Sequence, residues 1–325
     1  MTREISFYRP FDTNDFVYER CFLCGNDFDS VERTDEHVFP KWPQHEFNLW
    51  NESLHLVNNS LIQYRFLTIP CCKICNGVHL SAMERKFIML RDRKFVALDK
   101  DDEKIIFQWT AKILYGTLYK ELSLLLDRRQ SGGGAILSPE IITSYSTLHL
   151  FLQSIRIPTE FNAPKPWSVF VFNYDNDRFH YINDIERLSF SIKLGNVGVT
   201  ITFEDNNIIE GFLEPLKKLE PIILNDIQFF EVTSKVFYAK RLALNAPYYS
   251  TAYHEPSNSM QVNSMGSIRG RDWSDEEYGA SLEFMLRRAG FNIRNSIYEN
   301  GSLTSFLVDE NGEPYIKRIL PGETD

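Results

Sequence analysis

The chain has 325 residues, 43% of them hydrophobic, which is length enough for two or three domains that each bury a core. Its 35 Lys and Arg against 44 Asp and Glu leave a net charge of −9 and a sequence pI near 5.4. That balance excludes a nucleic-acid binder acting through chain-wide positive charge and confines any phosphate contact to a local basic patch. Five cysteines, no hydrophobic signal segment and no transmembrane span argue against a disulfide-stapled secreted scaffold, so a cytoplasmic protein is expected.

The first informative element is a pair of Cys-x-x-Cys knuckles, Cys21/Cys24 and Cys72/Cys75. Two such pairs complete a closed tetrahedral shell around Zn²⁺, a structural ion with no open position for chemistry. Buried free thiols are the plainer reading, but identical internal spacing in both pairs argues for the metal. Cys71 adjoins Cys72, and two neighbouring residues do not both point at one ion, so Cys71 is assigned to the core.

Between the knuckles lies Asp35-Glu36-His37-Val38-Phe39-Pro40-Lys41-Trp42, and the second knuckle runs directly into Asn76. This order, over residues 18 to 90, resembles the HNH endonuclease family, whose site is a ββα-metal unit. No Walker A or dinucleotide glycine fingerprint points elsewhere. The resemblance implies that His37 is the general base that deprotonates water, because a neutral imidazole accepts a proton near pH 7. It implies a catalytic Mg²⁺ or Mn²⁺ held by Glu36 and Asn76, with His79 joining or replacing Asn76. Asp35 competes with Glu36 for the ligand role, and Asn76 also suits a helix N-cap. His37 has a duller reading too, as a hydrogen-bonded core histidine.

The middle Asn of the family motif departs from its usual place, where this chain has Phe66, Leu67 and Thr68. Asn58 is the expected substitute, with Asn59, Asn51 and His55 nearby. A basic segment, Arg65, Lys73, Arg85, Lys86, Arg91, Arg93 and Lys94, adjoins the site, and together with Lys41 it is the expected DNA-facing surface. Lys41, Lys73, Arg85 and Lys86 are the phosphate contacts chosen within it.

Further along, the charged break from Leu98 to Glu103 bounds an expected amphipathic helix over 105–128 with apolar residues at three- and four-residue steps, stopped by Ser131 to Gly134. Pro139 to Ile155 reads as a second helix. Residues 168–172, 178–181, 190–194, 197–203 and 227–230 read as strands of an antiparallel sheet, with Asn196, Asp205 and Asn206 as turn residues. Ser257 to Ser274 reads as a loop. Ser274 and Glu277 form a capping-box pattern for a helix closed by Gly290, and a terminal hairpin is expected across Asn311-Gly312.

The sequence therefore predicts an α+β chain: a zinc-stapled ββα-metal module over 1–95, a helical connector over 96–160, and a mainly antiparallel β domain over 161–325. The resemblance implies an endonuclease cutting DNA, with RNA not excluded, of the kind used in bacterial restriction or phage defence. One such site cuts one strand, so a homodimer through the C-terminal region is compatible with double-strand cleavage, and the β domain is open to a nucleotide or protein regulator. The reading from a different class is a non-catalytic zinc-ribbon module that binds nucleic acid or protein.

Overall fold

The computed structural model describes residues 8–10, 18–56, 60–122, 139–292, 305–309 and 313–314. The fold is α+β, and the chain divides into two compact units, residues 1–162 with 249–263, and residues 163–248 with 264–325. The expected boundary at residue 95 is not where it divides. The helices that follow bury their side chains within the first unit, so the expected connector belongs to its core.

In the first unit, strand β1 (Arg33–His37) pairs antiparallel with β4 (Thr68–Cys72), Arg33 opposite Cys72 and His37 opposite Thr68. Between them run a short helix α1 (Lys41–Glu46) and a small hairpin of β2 (Ser53–His55) and β3 (Leu61–Gln63). After β4 the chain enters a π-helical turn over Cys75–Leu80 that continues into α2 (Ser81–Asp92). Helix α3 (Lys100–Leu122) starts where Asp99 accepts hydrogen bonds from the amides of Asp101 and Asp102, both at 2.9 Å, which satisfies two open donors of its first turn.

The periodic pattern predicts one apolar stripe on α3, but almost every residue from Ile106 to Tyr119 is buried, including Gln108, Thr110, Lys112 and Thr117. A helix covered on all sides is central to its unit. Trp109 of α3 stacks on Phe87 of α2 with ring centroids 3.9 Å apart. Helix α4 (Pro139–Leu152) ends in a 3₁₀ turn over Gln153–Ile155, close to the expected limits. The expected stop at Ser131 to Gly134 lies outside the described residues.

The stretch 257–274 is not all loop. It contains β12 (Ser259–Met265), which pairs with β11 (Tyr248–His254) on one side and runs parallel to β5 (Thr159–Phe161) on the other. Met260 and Val262 are its buried residues, a period of two that the surrounding Ser and Asn residues conceal.

The second unit is a five-stranded sheet in the order β10 (Ile223–Leu224), β6 (Trp167–Tyr174), β9 (Val197–Phe203), β8 (Ser189–Leu194), β7 (Phe179–Asp184). All its pairs are antiparallel except β10 with β6. Between β9 and β10 lies the short helix α5 (Ile208–Phe212).

Residues 227–230, expected as a strand, lie in helix α6 (Asp226–Arg241). Asn225 and Gln228 exchange side-chain bonds with each other's backbone amides at 3.0 and 2.9 Å, and that capping box overrides the β propensity of the aromatics. Helix α7 (Asp275–Arg288) starts at Ser274, whose hydroxyl accepts from the Glu277 amide. The Glu277 carboxylate goes instead to Arg271 and Tyr238, so only half of the expected capping box forms. Gly290 follows α7 with φ +87. An antiparallel bridge joins Val308 to Pro314, while Asn311-Gly312 lies outside the described residues.

Buried Lys193 donates to the Asn176 and Arg178 carbonyls, each at 3.1 Å, and pairs with Asp226 at 3.1 Å. Removing one partner of a buried pair leaves the other charge uncompensated. Asp226→Ala is therefore expected to destabilise the second unit by about 3 kcal/mol, read as a lower urea midpoint; a wild-type midpoint would refute the assignment.

Candidate metal and catalytic site

The sulfurs of Cys21, Cys24, Cys72 and Cys75 all lie within 4.8 Å of one another, with Cys24 and Cys72 at 3.7 Å. Tetrahedral thiolates at a metal–sulfur bond of about 2.3 Å stand about 3.8 Å apart, so the four residues fit a single ion with no rearrangement of the fold. Among the described residues this is the one such cluster of Cys, His, Asp or Glu. Cys71 is fully buried beside Cys21 at 3.9 Å and stands outside the group.

Local backbone demands explain the first knuckle. Gly25 has φ +71, and a Cβ there would meet the Tyr8 ring at 2.2 Å, so only glycine serves. Its amide donates to the Cys21 carbonyl at 2.8 Å, and the Phe22 amide donates to the Pro70 carbonyl of β4 at 2.9 Å. From α4, His149 and the following Gln153 bond the Phe22 and Leu23 carbonyls at 2.9 and 3.0 Å. In the second knuckle, the Cys75 amide donates to the Cys72 sulfur.

The same β1–β4 ladder ends at His37. Its ring is half-buried and stacks on Trp50, centroids 6.1 Å apart, while Trp50 also stacks on His45 at 4.8 Å. Burial, aided by the charges of Lys41 and Lys112 and opposed by Asp35, holds the His37 imidazole below its ordinary pKa. It is therefore neutral at pH 7, the form that accepts a proton. Alternation along β1 sends Glu36 to the other face from Asp35 and His37: Glu36 is buried and paired with Lys112 of α3, whereas Asp35 is exposed beside Arg33.

Asn76 lies inside the π-helical turn and caps nothing with its side chain. Its amide nitrogen donates to the Thr34 hydroxyl at 3.1 Å, and that hydroxyl donates to the Cys71 carbonyl at 2.9 Å. With the nitrogen tied, the Asn76 amide oxygen has no protein partner among the described residues. Thr34 and Glu36 share a face of β1, so Asn76 and Glu36 both serve that face.

A hard divalent cation takes one or two protein oxygens and keeps its waters. Glu36 has one carboxylate oxygen paired with Lys112, which balances its negative charge, and the Asn76 amide oxygen is open on the same face of β1. His79 is half-buried, and burial together with the charge of Arg156 lowers its pKa. Asn58 lies outside the described residues.

The basic segment is less free than its sequence suggests. Lys73 pairs with Glu32, Arg91 with Glu46 and Arg93 with Asp102, acids drawn from elsewhere in the chain. Lys41, Arg85 and Lys86 are exposed and carry no ion pair among the described residues. Sequence reasoning missed Lys112, Thr34 and Trp50. A single charge inside the apolar run of α3 is the signal that marks Lys112, while nothing in the sequence marks Trp50.

No family model, curated protein or solved structure gives a significant match to this chain. No helix among the described residues is long and apolar enough to cross a membrane.

Elemental analysis is expected to find one thiolate-bound metal ion per chain. Stripping it with a chelator, or changing Cys72→Ser, is expected to lower the melting temperature of the first unit by more than about 10 °C. A metal-free protein with the same melting curve would refute the cluster as a metal site.

Proposed function

We propose that the first unit is an HNH-type, metal-dependent endonuclease that hydrolyses phosphodiester bonds in DNA, stapled by Zn²⁺ on the four cysteines. The observation that carries this reading is the half-exposed His37 at the end of a two-stranded ladder whose face is joined to the following helix through Asn76 and Thr34. In this reading His37 supplies a neutral base on one face of β1, while Glu36 and Asn76, the latter tied to Thr34, supply oxygen donors on the other face. His37 takes the proton from the attacking water. Glu36 and Asn76 would hold Mg²⁺ or Mn²⁺, which neutralises charge on the phosphate and supports the leaving oxygen. Lys41, Arg85 and Lys86 meet the nucleic-acid backbone.

The second reading is a module that binds nucleic acid without cutting it, favoured by the pairing of Glu36 with Lys112, which leaves a metal less carboxylate charge.

Plasmid nicking separates the two. With Mg²⁺ or Mn²⁺, His37→Ala is expected to lower the nicking rate by about 10²- to 10⁴-fold while metal on the cysteines stays at the wild-type level. If the wild type nicks neither DNA nor RNA with any divalent ion, the binding reading replaces this one. For the basic face, Arg85→Ala with Lys86→Ala is expected to weaken DNA binding alike across sequences and to reduce the slope of log affinity against log salt by about 2. An unchanged slope would remove these residues from the interface.

A further inference from the structure

Lys112 stands one turn before Gly116 on α3, and the helix meets the exit of β1 at both positions. A Cβ at Gly116 would lie 3.0 Å from a Val38 methyl, so the missing side chain permits the close approach. There the Lys112 ammonium donates to the His37 carbonyl at 2.7 Å and the Val38 carbonyl at 3.1 Å, and it pairs with the Glu36 carboxylate. An ammonium has three N–H donors, and three acceptors on three consecutive residues use them all. Glu84 of α2 also acts on this group: burial pushes its carboxyl up, with Glu36 adding and Lys112 opposing. The Lys112 side chain is fully buried, so it reaches no substrate.

We propose that Lys112 is a positioning residue of the site. It clamps the carbonyl of the base residue and that of the residue after it, and anchors the carboxylate of the residue before it, so that residues 36 to 38 hold one conformation at the end of β1. The inference rests on the nuclease reading for its effect on rate, and on geometry alone for its effect on the His37 ring. Lys193 provides the comparison, because it makes the same kind of buried contacts in the second unit, where no role in the site is assigned.

The test uses the full chain carrying Lys112→Met, with Lys193→Met as control, and reads nicking kinetics, metal content and the NMR resonance of the His37 ring. Lys112→Met is expected to lower kcat by about 10- to 100-fold, as a displaced catalytic group does, while KM for plasmid stays within about two-fold. The His37 ring resonance is expected to shift or split in Lys112→Met and to stay in place in Lys193→Met, whose kcat is also unchanged. If Lys112→Met does not fold, Lys112→Leu combined with Glu36→Gln, which removes the carbonyl clamp without leaving a buried unpaired charge, takes its place and is read by the His37 ring resonance. A wild-type kcat per folded molecule overturns the proposal, and so does an unmoved ring resonance. Should the wild type cut no nucleic acid, the nuclease reading falls by itself, and the His37 resonance alone decides whether Lys112 positions it.

Discussion

A five-residue antiparallel ladder ties the two chemically distinct ends of the first unit together. At one end of β4 stand Cys71 and Cys72, at the other Thr68 opposite His37, and the register leaves no freedom to move one end without the other. A slip of one residue would turn Glu36 outward and His37 inward, because successive side chains face opposite sides of a strand. The thiolate cluster fixes where β4 begins its turn into the helix, and hence where Asn76 meets Thr34. A cysteine cluster able to hold a metal ion and a candidate catalytic strand end are thereby one mechanical object.

Buried lysines recur as a device that holds strand ends and the turns beside them. Lys112, Lys193 and Lys240 each direct an ammonium at backbone carbonyls, Lys240 reaching those of Phe203 and Glu204 at 2.7 and 3.0 Å. Carbonyls at the end of a strand have lost their ladder partners, and in a buried place water cannot replace them. A long aliphatic stem carries three donors to such a spot while its methylenes pack among apolar neighbours. The desolvation cost of the charge is offset where a carboxylate stands beside it, as Glu36 and Asp226 do.

The sequence made the knuckles, most of the β sheet and the His37 strand legible because each rests on short-range spacing. Two residues between cysteines, alternation in 190–203 and an acidic pair before histidine are local patterns that tertiary packing does not overturn. The failures have equally local causes. Ile227 to Phe230 has strand-like residues, yet the Asn225 and Gln228 capping pair starts a helix there. Met260 and Val262 were lost among polar neighbours, which hid β12. Lys112 stands out in the sequence only as a lone charge in an apolar run; its partners lie some 75 positions away, at His37 and Glu36, and no periodicity encodes that meeting. The acids that neutralise Lys73 and Arg91 lie over 40 positions away, whereas Asp102, the partner of Arg93, lies nine residues on in the acidic run that opens α3.

The chain leaves the first unit after residue 162 and comes back to it for residues 249–263, where β12 lies along β5. Anyone wishing to express that unit by itself faces a topological obstacle. A stop codon placed after the helices would strip β5 of its neighbour and present bare amides and carbonyls to other molecules, an invitation to precipitate. A shortened gene would need to splice the returning ribbon back on through a brief linker, replacing the whole intervening sheet.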